Sequence, residues 1–290
     1  MKPIRYPLAE DTIDRKDLDA LAGWLKTYPR LTKGELTPRF EEKWSRWLGT
    51  GHSVFCNSGS SANLLMYYAL LLSGKLKNKK VVVPSVGWAT SLAPAIQFGF
   101  TPLLCEADQD TYGLDIEHLE RLLKKHKPST VLMVQVLGVP HKMDEMLRLK
   151  RKYGFFLLED ACAAAGAEYK GRKAGTFGDM GSFSAYFGHQ FSTIEGGLVS
   201  TDDKRFHDLL LMLRSHGWSK DLDRAAHEAL TAAGRGHCRG PRPIPTRGGS
   251  WRHRCLPGPD RPGLWRGAGH RGRRRRRRRS ARHPSPNQSR

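Results

Sequence analysis

Two hydrophobic periods alternate along the chain. Short apolar runs such as Val81-Val-Val-Pro84, Thr130–Val136, Phe155–Leu158 and Gly197–Thr201 have the length and the β-branched or aromatic content of buried strands. Between them, apolar residues recur at helical spacing, most clearly at Leu114, Ile116, Leu119, Leu122 and Leu123. The pattern predicts helices over 18–26, 40–48, 63–72, 89–98, 114–125, 143–153 and 204–214. It predicts further strands over 53–56 and 102–105. Thr37 before Pro38 predicts a helix N-cap with proline in the first turn. Strands alternating with helices predict an α/β domain with a mainly parallel sheet flanked by helices. In such sheets ligands sit at the carboxyl ends of strands. Ser58–Ser61, Trp88 and Asp160 fall at such ends, and a loop holding His189 follows another short strand.

The pattern stops near residue 225, which divides the chain into 1–225 and 226–290. Residues 231–290 contain no Lys, Val, Phe or Tyr and include an unbroken run from Arg273 to Arg279. This changes the meaning of the formal net charge of +21. Residues 1–230 hold 31 basic and 27 acidic residues, whereas the last 60 hold 18 arginines and one acidic residue. The molecule reads as a near-neutral globular domain followed by a basic tail. That composition cannot bury enough apolar surface to offset ordering entropy. Two readings stay open for it: an arm for nucleic acid or another anionic surface, or out-of-frame translation of GC-rich DNA.

Five cysteines, Cys56, Cys105, Cys162, Cys238 and Cys255, show neither CxxC pairs nor zinc spacing. They predict reduced thiols, a cytoplasmic protein and no metal site. The first residues lack the apolar core of a signal peptide, and the longest apolar run, Leu64–Leu72, is too short to span a bilayer.

The densest candidate chemistry lies between Gly181 and Gly197. Ser182, Ser184, Ser192 and Thr193 can donate to an anion, and His189 can move a proton near neutral pH. By composition alone His189 could equally be a satisfied histidine in a strand–loop–strand passage. Asn57-Ser-Gly-Ser-Ser-Ala62 reads as a strand, a Gly/Ser turn and a helix start, the ingredients of an anion site.

Four segments in one order identify a family resemblance: Asn57–Ala62, Val83-Pro-Ser-Val-Gly-Trp-Ala-Thr90, Leu158-Glu-Asp-Ala-Cys-Ala163, and Ser182-Phe-Ser184 with Glu195-Gly-Gly197. Together they resemble the DegT/DnrJ/EryC1/StrS sugar aminotransferases, fold type I enzymes of pyridoxal 5′-phosphate (PLP). The resemblance covers about residues 5–225. It implies the large domain of that fold, with a C-terminal small domain missing or frameshifted. It implies Gly59, Ser60, Ser61 and Ser184 around the cofactor phosphate, Trp88 stacked on the ring, Asp160 at the pyridine nitrogen and Glu195 toward substrate. Most members carry a cofactor-tethering lysine six residues before the Glu of Glu-Gly-Gly. Here that position is His189, which resembles a histidine-containing subgroup of 3-dehydratases that use pyridoxamine 5′-phosphate (PMP) on nucleotide-linked 4-keto-6-deoxy sugars. His189 is then the catalytic acid/base, glutamate the amino donor, and a homodimer the expected assembly. Ala163 stands where the family often has a glutamine near the ring hydroxyl. An ordinary aminotransferase would need a lysine at 189, and the nearest, Lys173 and Lys204, lie outside the motif. An iron–sulfur dehydratase would need four clustered cysteines, and these are scattered.

Overall fold

The computed structural model of the chain describes residues 12–237. Seven strands form one sheet: β1 (His52–Cys56), β2 (Lys80–Pro84), β3 (Thr101–Cys105), β4 (Thr130–Val134), β5 (Phe156–Asp160), β8 (Met180–Ser184) and β9 (Gly197–Thr201). A two-residue-per-strand hairpin, β6 (Glu168–Tyr169) and β7 (Arg172–Lys173), stands apart. The sheet order is β1-β9-β8-β5-β4-β2-β3. Strands β8, β5, β4, β2 and β3 pair in parallel, while β9 runs antiparallel to both β8 and β1. The mainly parallel sheet expected from the alternation is therefore present.

Burial on both faces explains the continuous apolar strands. Val81, Val83, Leu132, Leu158 and Val199 pack with Leu65, Met66 and Leu70 of α3 (Gly59–Leu72) and Phe206 and Leu210 of α7 (Lys204–Arg214). Val82, Val131, Met133 and Leu157 point the other way, onto α5 (Ile116–His126) and α6 (Met143–Tyr153). A third cluster seats Trp44 and Leu48 of α2 (Leu36–Leu48) on Phe183 and Leu198. Helix α3 is apolar almost all round because helices α4 (Ala89–Gln97) and α7 and the sheet cover it. By contrast α1 (Arg15–Leu25), capped by Asp14 and Asp17, buries none of its residues.

Several boundaries differ from the sequence pattern. Helix α2 begins at Leu36 behind Glu35, which makes no side-chain cap, so Thr37 and Pro38 both lie inside the first turn. Proline is tolerated there because that N–H has no helical partner anyway. Strand β4 ends at Val134, and Val136–Gly138 form a 3₁₀ turn in which Leu137 has φ 52°. The β6–β7 hairpin has no period to reveal it; its turn residues Lys170 and Gly171 take φ 51° and 77°. Helix α8 (Arg224–His237) crosses the boundary drawn at residue 225. The reading of the Arg-rich tail falls on residues that, from 238 on, lie outside those described.

Candidate active site

The sheet order converts four separated motifs into neighbours. β1, β8 and β5 all present their carboxyl ends at one edge, and antiparallel β9 brings its amino end to the same edge. Gly197 pairs with both Cys56 and Ser184, and Ser182 pairs with Asp160. The Ser58–Ser61 turn, the Glu-Gly-Gly segment, the His189 loop and Asp160 thus lie side by side. Trp88 follows β2, two strands beyond β5.

Asp160 is 4% exposed and ends β5. Its Oδ2 accepts from Asn63 Nδ2 at 2.8 Å and from Ser91 Oγ at 2.6 Å, and its Oδ1 accepts from the Cys162 amide at 3.2 Å. All three donors are neutral. No Lys, Arg or His forms an ion pair with Asp160 among the described residues. A buried carboxylate without a cation is costly, so the site is built to receive a positively charged group. A protonated pyridine nitrogen is such a group.

Asn63 and Ser91 were not among the sequence candidates, and Ser182 was read only as a possible donor to an anion. Ser182 Oγ donates to Asn63 Oδ1 at 2.6 Å, and all three side chains are buried. The available signal was polarity out of place: Asn63 is the sole amide in an otherwise apolar helix face. The opposite side of β5 carries Glu159, fully buried, whose carboxylate accepts from the amides of Gly175 and Gly178 and from Gln135 Nε2. Burial raises the Glu159 pKa and these hydrogen bonds oppose the rise. Glu159 therefore braces the turn leading into β8.

The start of α3 supplies the anion site. Ser58 caps the helix by accepting from the Ser61 amide at 3.1 Å, while the Ala62 amide bonds the Ser58 carbonyl. The Gly59 and Ser60 amides are left at the positive end of the helix dipole. Close approach requires glycine at two points. A Cβ on Gly59 would sit 2.7 Å from Cys162 Sγ and 2.7 Å from Ser184 Cβ. One on Gly197 would sit 2.2 Å from the Ser58 carbonyl oxygen. Ser184, also buried, thus lies against the Gly59 turn. Burial pushes the neighbouring Cys56 thiol up to about 11 and the Cys162 thiol well above its usual range, so both are protonated and inert.

His189 lies in the β8–β9 loop, half-buried, with its amide bonded to the Tyr186 carbonyl at 3.1 Å. Partial burial lowers its pKa, and the charge of Asp160 pulls the other way. Neither ring nitrogen makes a hydrogen bond to the protein among the described residues. Gln190 Nε2 donates to the Ala163 carbonyl at 2.8 Å, tying this loop to the one after Asp160. Ile194 in the same loop holds φ 71°, a strained conformation for a β-branched residue. Lys173 pairs with Glu168, and Lys204 with Asp208 and Asp223. Trp88 is 74% exposed at the N-cap of α4, one turn from Ser91; among the described residues no ring stacks on it. Glu195 is exposed, and its carbonyl accepts from Thr193 Oγ1 at 3.1 Å. A cleft of about 1190 Å³ is lined by Trp24, Arg30, Lys33, Asn57 and Arg214, and does not include Asp160, Ser184 or His189.

Comparison with known proteins matches residues 11–237 to the DegT/DnrJ/EryC1/StrS aminotransferase family. The chain belongs to that family. Among curated relatives, the GDP-4-keto-6-deoxy-D-mannose 3-dehydratase of Yersinia pseudotuberculosis is 37% identical over 227 residues, which is 77% of this chain and 57% of the relative. The E. coli enzyme of that name, solved with bound hydrated PLP, superposes with a TM-score of 0.71 at 36% identity, covering 76% of this chain and 57% of that one. Another structure of the dehydratase, with PLP and glutamate trapped together, gives 0.69 at 34% identity, covering 75% and 57%. The chain thus spans little more than half the length of these relatives. Its fold is that of the large domain of PLP-dependent aminotransferases.

Proposed function

We propose that this chain carries the cofactor-binding large domain of a PLP/PMP-dependent 3-dehydratase acting on a nucleotide-linked 4-keto-6-deoxy sugar, in deoxysugar and lipopolysaccharide synthesis. The observation that carries the reading is an imidazole, not an amine, in the β8–β9 loop beside a buried carboxylate that has no cation of its own. Without a lysine the cofactor is held by contacts alone. The Gly59 and Ser60 amides, Ser61 and Ser184 would hold its phosphate, Asp160 its ring nitrogen, and the uncovered Trp88 one face of its ring. Bound there, the cofactor would supply an amine and an electron sink for the keto sugar.

His189 does the proton transfers. Neither ring nitrogen is hydrogen-bonded among the described residues, and partial burial favours the neutral base at pH 7. The imidazolium formed when it takes a proton can return it to the departing C3 hydroxyl, so one ring serves both steps. Glutamate would restore the amine, Glu195 would face substrate, and the working assembly would be a cytoplasmic homodimer. No helix among the described residues is long and apolar enough to cross a membrane.

The test incubates the protein with PMP, glutamate and GDP-4-keto-6-deoxymannose. Mass spectrometry should find a 3,6-dideoxy-4-keto sugar together with released ammonia. A 4-amino sugar that keeps oxygen at C3 would assign an aminotransferase instead. His189→Asn should lower the rate by about 10²–10⁴-fold, the usual worth of a general base.

A further inference from the structure

We infer that Asn63 is a positioning residue that turns Asp160 so that Oδ1, and not Oδ2, is the oxygen offered to the bound cation; the inference rests on the cofactor reading above. The two carboxylate oxygens are not equivalent. Oδ2 receives both strong donors, Asn63 Nδ2 at 2.8 Å and Ser91 Oγ at 2.6 Å. Oδ1 receives the Cys162 amide at 3.2 Å, and the Cys162 thiol, a weak donor, also adjoins the carboxylate, which leaves acceptor capacity on that oxygen.

The orientation of Asn63 follows from its neighbours. A carboxylate only accepts, so the amide nitrogen must face Asp160. The amide oxygen then faces Ser182, whose hydroxyl donates to it at 2.6 Å. That hydroxyl has one proton; the Glu159 carbonyl is farther, at 3.3 Å, and the Cys162 sulfur, a weak acceptor, also adjoins it. Ser182 sits directly beside Asp160 in the β5–β8 register, so the sheet itself anchors the relay Ser182 to Asn63 to Asp160. On the other flank, Tyr67 Oη donates to the Ser91 carbonyl at 3.3 Å, holding the start of α4. Every link is neutral, so the charge of Asp160 is oriented without being cancelled. A lysine or arginine in place of Asn63 would orient it as well but would also neutralise it.

The wild-type 290-residue chain is compared with Asn63→Leu, Ser182→Ala, Asp160→Asn and the Asn63→Leu/Asp160→Asn double variant. PLP binding is followed by tryptophan quenching, and ring protonation by the nitrogen NMR shift of ¹⁵N-labelled PLP. Asn63→Leu should weaken PLP about ten- to hundred-fold, the range for a hydrogen bond to a charged group, and shift the ring signal toward the unprotonated form. Ser182→Ala, a small change, should move both readouts the same way by less. On the Asp160→Asn background Asn63→Leu should have no further effect. Binding within twofold of wild type with an unchanged ring signal in Asn63→Leu would overturn the inference. Wild-type protein that holds no PLP would instead defeat the cofactor reading. Urea unfolding of the cofactor-free variants then decides the positioning role: non-additive losses for Asn63→Leu and Asp160→Asn sustain it, and additive losses overturn it.

Discussion

His207 stacks on His52 with ring centroids 4.4 Å apart and planes 12° from parallel. Burial, and then the neighbouring His52, push the His207 pKa down to about 4; Lys204 and Arg214 act the same way and Asp208 opposes them. A histidine near 6.5 in the unfolded chain and near 4 in the fold takes up its proton more readily when unfolded. Its contribution to stability is therefore complete above about pH 6.5 and is lost as pH falls toward 4. His207→Phe keeps the stack without the proton. Urea titrations at pH 7 and 4.5 should show the variant losing less stability than wild type, by order 2 kcal/mol. Equal losses would mean that His207 titrates alike in the fold and in the unfolded chain. The same residue scale explains what the sequence made legible at the site. Gly59, Ser60, Asp160, Ser184 and His189 sit in motifs with recognisable spacing. Asn63 and Ser91 act on Asp160 across 97 and 69 residues of chain, and nothing in their local sequence carries that distance.

Elements meet at the site edge through backbone, not side chains, and glycine marks where. A Cβ added at Gly197 would meet the Ser58 carbonyl and, at 2.7 Å, the Gly59 amide nitrogen, backbone atoms that cannot rotate away. Gly197→Ala should therefore push β9 from the start of α3, costing about 1–3 kcal/mol in thermal or urea unfolding and weakening phosphate-dependent PLP binding. Gly23, inside α1, has nothing within 4 Å of an added Cβ. Gly23→Ala should hold or raise stability, by about 0.5–1 kcal/mol. If the two variants unfold alike, crowding at Gly197 is not what fixes that residue. Periodicity located these elements well because the sheet is buried on both faces and most helices on one. It failed for the β6–β7 hairpin, which is too short to have a period. At Thr37-Pro38, Glu35 begins the helix earlier than the cap pattern suggests.

Across the described domain, the two large clusters share one set of strands. Leu132 and Leu158 face α3 and α7, while Val131, Met133 and Leu157 face α5 and α6. Neither layer can lose its strands without exposing the other, so the domain should unfold as one unit. Leu70 and Leu123 are buried at 0% and 1% exposure, one in each cluster. Leu70→Ala and Leu123→Ala should each cost about 2–5 kcal/mol. The sheet lies between them and they share no cluster, so the double variant should lose the sum within about 0.5 kcal/mol. Far-ultraviolet circular dichroism and tryptophan fluorescence should move together in every variant. A second transition in Leu123→Ala, with Trp44 fluorescence surviving the loss of α5 and α6, would show that the layers fold separately. In that case the site edge, built from β1, β9, β8 and β5, would depend only on the α3–α7 side of the sheet. Leu70→Ala would then weaken PLP binding while Leu123→Ala would leave it unchanged.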